Sequence, residues 1–193
     1  KCLKSSFTKA SVVRDVLREG GRVSSSDSTP ASDRLTFMSR SPAETLAFGE
    51  ALGKISEPGD VYAMAGELGA GKTWLTKGIA QGLGIPPDQV TSPTFVLMHV
   101  YQGRVPLNHF DAYRLGSSTE MLDLGAEEAW FGDGVSVIEW ADRVADVLPP
   151  ERLDIHLEVA GERARRIQLT PHGFRAGEIV KRLPARSADP MDA

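Results

Sequence analysis

Eight consecutive residues have the types and the spacing that bind phosphate. They fit the pattern G-x-x-x-x-G-K-[ST] and read Gly66-Glu67-Leu68-Gly69-Ala70-Gly71-Lys72-Thr73. Glycines let the backbone curl so that successive N–H groups point at phosphate oxygens, and a helix starting there adds its positive end. Lys72 is expected to reach the β- and γ-phosphates, and the Thr73 hydroxyl to bind Mg²⁺. This 66–73 segment therefore predicts a nucleoside triphosphate site.

Two carboxylates have the context of nucleotide chemistry. Glu139 ends the apolar stretch 135–138, where phosphate-loop enzymes carry a metal-binding carboxylate that is usually Asp. Asp111 follows a predicted strand and could hold metal-bound water or act as general base. The structural alternatives are that Glu139 caps a following helix and that Asp111 is a turn residue. The residues alone leave both alternatives open.

Several neighbouring features could complete such a site. The hydroxyls of residues 91–95 could approach a γ-phosphate as GTPase switch segments do, or this stretch is a Pro-containing turn. Trp140 could stack on a base or ribose, with a core tryptophan as the alternative. His109 alternates with Asp111 and could share its side of the strand, although a structural histidine is more common. A basic cluster could meet RNA or an acidic partner, or be a solvated face; it comprises Arg163, Arg165 and Arg166.

The apolar patterns predict the elements that position these groups. A strand at 61–65 precedes the 66–73 segment, and a helix at 74–83 follows it. Further strands are predicted at 35–38, 93–101, 105–110 and 135–138, a β-hairpin at 153–159 and 165–169, and helices at 43–52, 118–130, 141–148 and 173–183. Ser41, Pro42 and Glu44 make a capping box for the first of these helices. Strands interleaved with helices around a strand–loop–helix unit predict a three-layer α/β/α nucleotide-binding fold that ends in a β-hairpin and a helix.

Composition limits the class of protein. The 193 residues suit one domain, and 41% hydrophobic with 25% charged residues is ordinary for a soluble globular chain. A net charge of −4 argues against binding nucleic acid through bulk electrostatics. Cys2 is the single cysteine, which excludes an intrachain disulfide and fits a reducing compartment. No apolar run approaches the ~20 residues that a membrane span needs. We therefore expect a cytoplasmic protein without a membrane partner.

The ends of the chain differ from its centre. Residues 1–33 are expected to be a disordered or weakly helical extension, residues 34–185 the nucleotide-binding domain and residues 186–193 a polar tail. A targeting presequence is the alternative for the first segment, although Asp15 and Glu19 count against it. The sequence opens on Lys1 rather than Met, which leaves an upstream start open.

Four segments together resemble a known family. Residues 66–73, 91–95, 109–115 and 137–141 occur in the order and spacing of the TsaE family, the bacterial ATPases of tRNA threonylcarbamoyladenosine biosynthesis. The resemblance covers roughly residues 35–183. It implies a P-loop domain that binds ATP and Mg²⁺, hydrolyses ATP slowly alone, and acts with the proteins TsaD and TsaB. Those proteins transfer the threonylcarbamoyl group, so the resemblance implies contact with tRNA only through their complex.

The same resemblance implies roles for individual residues. Residues 66–73 would hold the nucleotide, with Lys72 on the phosphates, and Thr73 and Glu139 on Mg²⁺. Asp111 would be the catalytic or metal-water carboxylate, and Trp140 would lie against the nucleotide. Thr45 falls where the family places nucleotide contacts.

Two other classes of function remain from the sequence alone. A small-molecule or nucleoside kinase would need an acceptor pocket and an arginine-bearing lid, and no Arg-rich segment follows the central strands. A nucleotide-regulated switch without meaningful turnover is the other; its GTPase version would need an Asn-Lys-x-Asp element, which this sequence lacks.

Overall fold

A computed structural model describes residues 34–183. The strands are β1 (Leu35–Ser39), β2 (Val61–Ala65), β3 (Met98–Tyr101), β4 (Leu107–Asp111), β5 (Val135–Glu139), β6 (Arg152–Val159) and β7 (Arg165–His172). The α-helices are α1 (Pro42–Ile55), α2 (Lys72–Gly82), α3 (Ser118–Asp123), α4 (Ala126–Trp130) and α5 (Phe174–Arg182), and Ala141–Val144 is a 3₁₀ helix. The predictions for 1–33, for 186–193 and for the last two residues of the domain lie outside the described residues.

All seven strands form one mixed sheet in the order β1-β7-β6-β2-β5-β4-β3. The four central strands, β6, β2, β5 and β4, pair in parallel, while β1, β7 and β3 join antiparallel. Glu139 at the end of β5 pairs with Met64 on β2 and with Asp111 on β4. Because parallel strands end at the same edge of a sheet, the 66–73 segment and both carboxylates come together there.

Helices cover both faces of this sheet. On β2, Tyr62 and Met64 belong to an apolar cluster that includes α1, α2 and α5, while Val61 and Ala63 belong to a second cluster with α3, α4 and the 3₁₀ helix. Successive residues of a strand point to opposite faces, so the two clusters are the two sides of the sheet. The expected mixed α/β architecture is confirmed.

Glycines bring α1 and α2 into close contact. A Cβ added at Gly78 of α2 would lie 2.3 Å from the carbonyl oxygen of Leu46, and one at Gly53 of α1 would lie 2.1 Å from that of Ile79. Backbone therefore packs directly on backbone, which a side chain at either position would prevent. This contact fixes the helix whose first turn carries Lys72.

Most predicted elements are present with small changes in their ends. The strands at 35–38, 61–65 and 135–138, the hairpin and the helices at 43–52, 74–83 and 173–183 are confirmed. At the start of α1 the Ser41 hydroxyl accepts from the Glu44 N–H at 3.2 Å. The Glu44 carboxylate accepts from the Arg40 N–H at 2.9 Å, one residue before the position that a capping box uses.

Three predicted elements are wrong in extent. The strand at 93–101 begins only at Met98, because Leu97 adopts a φ of 68° and donates to the Pro93 carbonyl at 2.6 Å. The helix at 118–130 is divided into α3 and α4 by Gly125 at φ 78°. The helix at 141–148 is a short 3₁₀ helix, since Arg143 bonds three residues back to Trp140 and two prolines follow the segment.

Within residues 34–183, no helix has both the length and the apolar character that crossing a membrane requires.

Candidate functional site

The 66–73 segment joins the end of β2 to the first turn of α2. Gly66, Gly69 and Gly71 have φ angles of 138°, 80° and 103°, which L side chains rarely adopt. A Cβ at Gly66 would also lie 2.2 Å from the Leu157 carbonyl oxygen on β6. Gly71 is the N-cap of α2, so the unpaired N–H groups of the first helical turn face the curled loop. This geometry is a cradle for an anion.

Lys72 folds back over this cradle. Its Nζ donates to the carbonyl oxygens of Gly66 at 2.6 Å and Glu67 at 3.0 Å. The residue is 5% exposed, and this burial lowers the pKa of its amine, while the negative charges of Glu139 and Asp111 oppose the change. A cation whose hydrogen-bond acceptors are two loop carbonyls is positioned to exchange them for an anionic ligand.

Trp140 supports the lysine from the other side. Its backbone is left-handed at φ 59°, and its ring lies 3.6 Å from the Lys72 Nζ, measured to the ring centroid. The ring also contacts Tyr113 at 5.0 Å between centroids and packs against the second apolar cluster. Trp140 is thus a partner of the Lys72 ammonium through a cation–π contact, as well as a packing residue.

Glu139 lies between a hydroxyl and a histidine. Its Oε2 accepts from the Thr73 Oγ1 at 2.9 Å, and its Oε1 lies 2.8 Å from the His109 Nε2. Glu139 and His109 are buried. These three residues, from α2, β5 and β4, form what we call the Glu139 chain. A hydroxyl and one carboxylate beside a phosphate cradle fit Mg²⁺, which keeps waters and takes its other ligands from phosphates.

Among residues 34–183, no group of three or more His, Cys, Asp or Glu side chains could hold a metal ion by itself. A cation at the Glu139 chain would take its further ligands from water and a bound phosphate, as Mg²⁺ commonly does in nucleotide sites.

Asp111 lies in a second group of contacts at the end of β4. Its Oδ2 accepts from the Ser92 Oγ at 2.9 Å and from the Thr94 Oγ1 at 2.5 Å, while its Oδ1 accepts from the Tyr113 N–H at 2.9 Å. We call these four residues the Asp111 cluster. The Ser92 and Thr94 hydroxyls thus connect the 91–95 stretch to Asp111 at the end of β4.

A cavity of about 320 Å³ opens beside the 66–73 segment. It is lined by Pro42, Thr45, Gly69, Gly71, Trp74, Glu162, Arg163 and Arg165. Thr45 is buried, and its hydroxyl shares a 2.8 Å hydrogen bond with the Ser39 hydroxyl. Trp74 donates from its indole nitrogen to the Pro42 carbonyl at 2.6 Å, which fixes its half-exposed ring in the wall. Thr45 therefore borders the cavity with its hydroxyl already engaged.

Arg165 joins the loop to the β6–β7 hairpin. Its guanidinium donates to the carbonyls of Ala70 at 3.0 Å and Gly69 at 3.2 Å, and to those of Ala164 at 2.8 Å and Gly161 at 3.2 Å. The sequence showed only a basic cluster here, because the contact spans more than ninety residues and depends on the sheet order. The sequence therefore did not predict the contact between Arg165 and the 66–73 segment.

His109 was also underestimated from the sequence. Its alternation with Asp111 was visible, but its partner Glu139 comes from another strand, and the register between β4 and β5 sets that contact. The Arg114 guanidinium lies 5.1 Å from the Phe95 ring centroid. Leu68, inside the 66–73 segment, points outward and is 82% exposed.

Fold and site together define a mixed α/β protein with a glycine-rich anion cradle between a central strand and a helix. The sequence model of the family described as "Threonylcarbamoyl adenosine biosynthesis protein TsaE" matches residues 39–167. The chain belongs to the TsaE family.

Individual relatives agree with this assignment. The chain is 46% identical over 130 residues to a tRNA threonylcarbamoyladenosine biosynthesis protein TsaE of Treponema pallidum, covering 67% of this chain and 96% of that protein. It is 43% identical over 151 residues to the TsaE of Bacillus subtilis, covering 78% and 94%. A crystal structure of YdiB from Bacillus subtilis superposes with a TM-score of 0.66 at 38% identity, covering 77% of this chain and 92% of that one.

Proposed function

We propose that this protein binds Mg²⁺-ATP at the 66–73 segment of a P-loop fold and hydrolyses it during tRNA threonylcarbamoyladenosine biosynthesis. The observation that carries the proposal is the placement of Lys72 and Thr73 in the first turn of α2, with the Thr73 hydroxyl 2.9 Å from the Glu139 carboxylate. Membership of the TsaE family supplies the pathway.

The phosphates would occupy the cradle of the 66–73 segment. Lys72 would exchange the Gly66 and Glu67 carbonyls for the β- and γ-phosphate oxygens. The loop N–H groups would bind the remaining phosphate oxygens of the nucleotide. Trp140 would remain behind the ammonium, and so lie at the phosphate side of the nucleotide.

The base would occupy the cavity beside the loop. The cavity adjoins Gly69 and Gly71, its wall includes the half-exposed Trp74 ring, and Arg163 closes it from the hairpin. A flat ring and a guanidinium are the groups on which a purine stacks. Thr45 would border this cavity through its Cβ and methyl group, since its hydroxyl is shared with Ser39.

The chemistry would be divided between the two carboxylates. Thr73 and Glu139 would hold Mg²⁺, which neutralises the developing charge on the phosphates when bound. Asp111 would orient the attacking water or accept its proton after exchanging Ser92 or Thr94 for that water. Arg114 contacts Phe95, and Arg165 is engaged by four carbonyls, so hydrolysis by the isolated chain should be slow.

The partners would be TsaD and TsaB in the cytoplasm, with tRNA reached through their complex. Apolar side chains around the mouth of the site support a protein partner: Leu68 is 82% exposed, Phe95 is 85% exposed, and Val96 and Tyr113 are also exposed. Such a group of exposed apolar residues is typical of a docking surface. The net charge of −4 agrees with indirect rather than direct contact with tRNA.

The test is phosphate release from ATP and from GTP, measured with and without a TsaD–TsaB complex. We expect slow release from ATP alone and faster release with the complex. Lys54→Ala is a matched control for Lys72→Ala, because it removes the same charge from an exposed position on α1. Phosphate transfer from ATP to a small acceptor, or equal activity in the Lys72→Ala variant, would contradict the proposal.

A further inference from the structure

His109 is buried in an unusual way for a histidine. The side chain has no solvent exposure, and its Nε2 lies 2.8 Å from the Glu139 Oε1. Its other ring nitrogen, Nδ1, has no hydrogen-bond partner among the described residues. Burying a polar ring with one nitrogen unpaired costs free energy, and isosteric apolar residues would avoid that cost. The single contact to Glu139 therefore needs an explanation other than packing.

The direction of this hydrogen bond follows from the chemistry of its partners. A carboxylate that holds a cation is ionised and only accepts hydrogen bonds, so in that state the hydrogen lies on the His109 Nε2. The bond occupies Oε1 and leaves Oε2 for the Thr73 hydroxyl, which it meets at 2.9 Å. A carboxylate held through only one oxygen would turn about its last side-chain bond, because that torsion is broad. With His109 present, both oxygens have defined directions.

The strands explain how the histidine reaches this place. His109 lies opposite Val137 in the parallel pairing of β4 with β5, two residues before the pair formed by Asp111 and Glu139. The Tyr101 ring, 6.5 Å away between centroids, lies next to the imidazole. The His109 ring is thus fixed by a sheet strand and an aromatic neighbour, and it lies behind Glu139 as seen from Thr73.

We propose that His109 is a positioning residue that aims the Glu139 carboxylate at the cation shared with Thr73. The inference rests on the proposed function, since that function gives Glu139 its cation. His109 touches neither the nucleotide nor the cation and acts only through Glu139. Partners behind metal ligands commonly change metal affinity by about 10- to 100-fold when they are removed.

The experiment compares three substitutions by Mg²⁺ titration of the binding of a fluorescent ATP analogue. His109→Gln can place an amide nitrogen near the position of Nε2, whereas His109→Asn is too short to do so, and His109→Leu has no donor. We expect the Mg²⁺ concentration at half-saturation to rise about tenfold in the Asn and Leu variants and to stay near wild type in the Gln variant. Binding of the analogue without Mg²⁺ should be equal in all four proteins.

The Gln and Asn variants keep the test decisive if the Leu variant fails to fold, because both carry an amide and differ in reach. Equal Mg²⁺ requirements in wild type, Gln and Asn would overturn the positioning role while leaving the nucleotide site standing. A wild-type protein that binds no analogue at any Mg²⁺ concentration would instead overturn the proposed function, and the role of His109 with it. A loss of Mg²⁺-free binding in the variants would show that His109 is merely structural.

Discussion

The two carboxylates of the site are adjacent in the sheet but are held by different kinds of structure. Glu139 is bound by Thr73 on a helix and His109 on a strand, and both Glu139 and His109 are buried. Asp111, its neighbour across the β4–β5 pairing, is bound by two hydroxyls from the 91–95 stretch, which lies in no helix or strand. The Glu139 chain therefore depends on regular elements, and the Asp111 cluster on a loop.

This difference suggests which part of the site can respond to a partner. The loop that holds Asp111 also carries Phe95, whose ring is 85% exposed. A protein that covers Phe95 would act on the segment that fixes Asp111 without displacing the elements that fix Glu139. We therefore expect a partner at this surface to change the rate of turnover more than the affinity for the nucleotide.

The largest effect is expected for Lys72→Ala, which removes a positive charge that interacts with both Glu139 and Asp111. The β- and γ-phosphates lose their countercharge, so we expect ATP hydrolysis to fall below detection and nucleotide binding to weaken. The lost contacts are to the Gly66 and Glu67 carbonyls of the loop and to the Trp140 ring, so the variant should keep a cooperative thermal transition. Phosphate release and calorimetric ATP binding measure the two effects, and unchanged turnover would exclude the site.

Asp111→Asn tests the Asp111 cluster, whose hydroxyl partners come from the 91–95 loop. The amide keeps the size of the side chain but cannot take a proton from water, so we expect kcat to fall about 100-fold while ATP affinity changes little. Steady-state kinetics and equilibrium binding of ATP separate these effects. Intact turnover with only a lower melting temperature would show that Asp111 is a turn residue.

Glu139→Gln tests the Glu139 chain, and we expect it to reduce activity less than Asp111→Asn does. The amide can still bond to Thr73 and His109 but loses the negative charge of the group proposed to hold Mg²⁺. The Mg²⁺ concentration needed for half-maximal hydrolysis should therefore rise by more than the roughly tenfold expected for His109→Leu. Glu128→Gln, at an exposed position on α4, is the matched control. If saturating Mg²⁺ fails to restore activity in Glu139→Gln, the residue acts on the reaction itself, and the division between the two carboxylates is wrong.

Local patterns were enough to predict much of this molecule. One motif of eight consecutive residues, lying between a strand and a helix, contains Gly66, Gly71, Lys72 and Thr73. That motif alone therefore predicts where these residues lie. The patterns of apolar residues along the chain likewise predicted the central strands. Helix extents failed where single residues decide them, as at Gly125, whose positive φ divides α3 from α4.

The long-range contacts could not be predicted in the same way. Arg165 reaches Ala70 only because β7 and β6 fold back beside β2, and His109 reaches Glu139 only in one register of β4 against β5. The packing of Gly53 on Ile79 depends on how α1 crosses α2. No spacing within the chain encodes these pairings, since they depend on the completed sheet.

The smallest effect is expected for removal of residues 1–33. Residues 20–33 contain mostly Gly, Ser, Asp and Pro, and the family match begins at residue 39. Too little apolar surface is available there to offset the entropy of ordering it on the domain. Phosphate release and the melting temperature of the shortened protein should match those of the full chain; a large loss of either would show that the segment docks on the domain.

We propose that ATP hydrolysis at Lys72 serves repeated rounds of tRNA modification. The direct measurement is threonylcarbamoylation of tRNA by a TsaD–TsaB complex, followed over time with ATP and Mg²⁺ and with wild-type protein, the Lys72→Ala variant or neither. We expect product to exceed the amount of complex only with the wild-type protein. Full multiple-turnover modification without this protein, or with Lys72→Ala in its place, would contradict it.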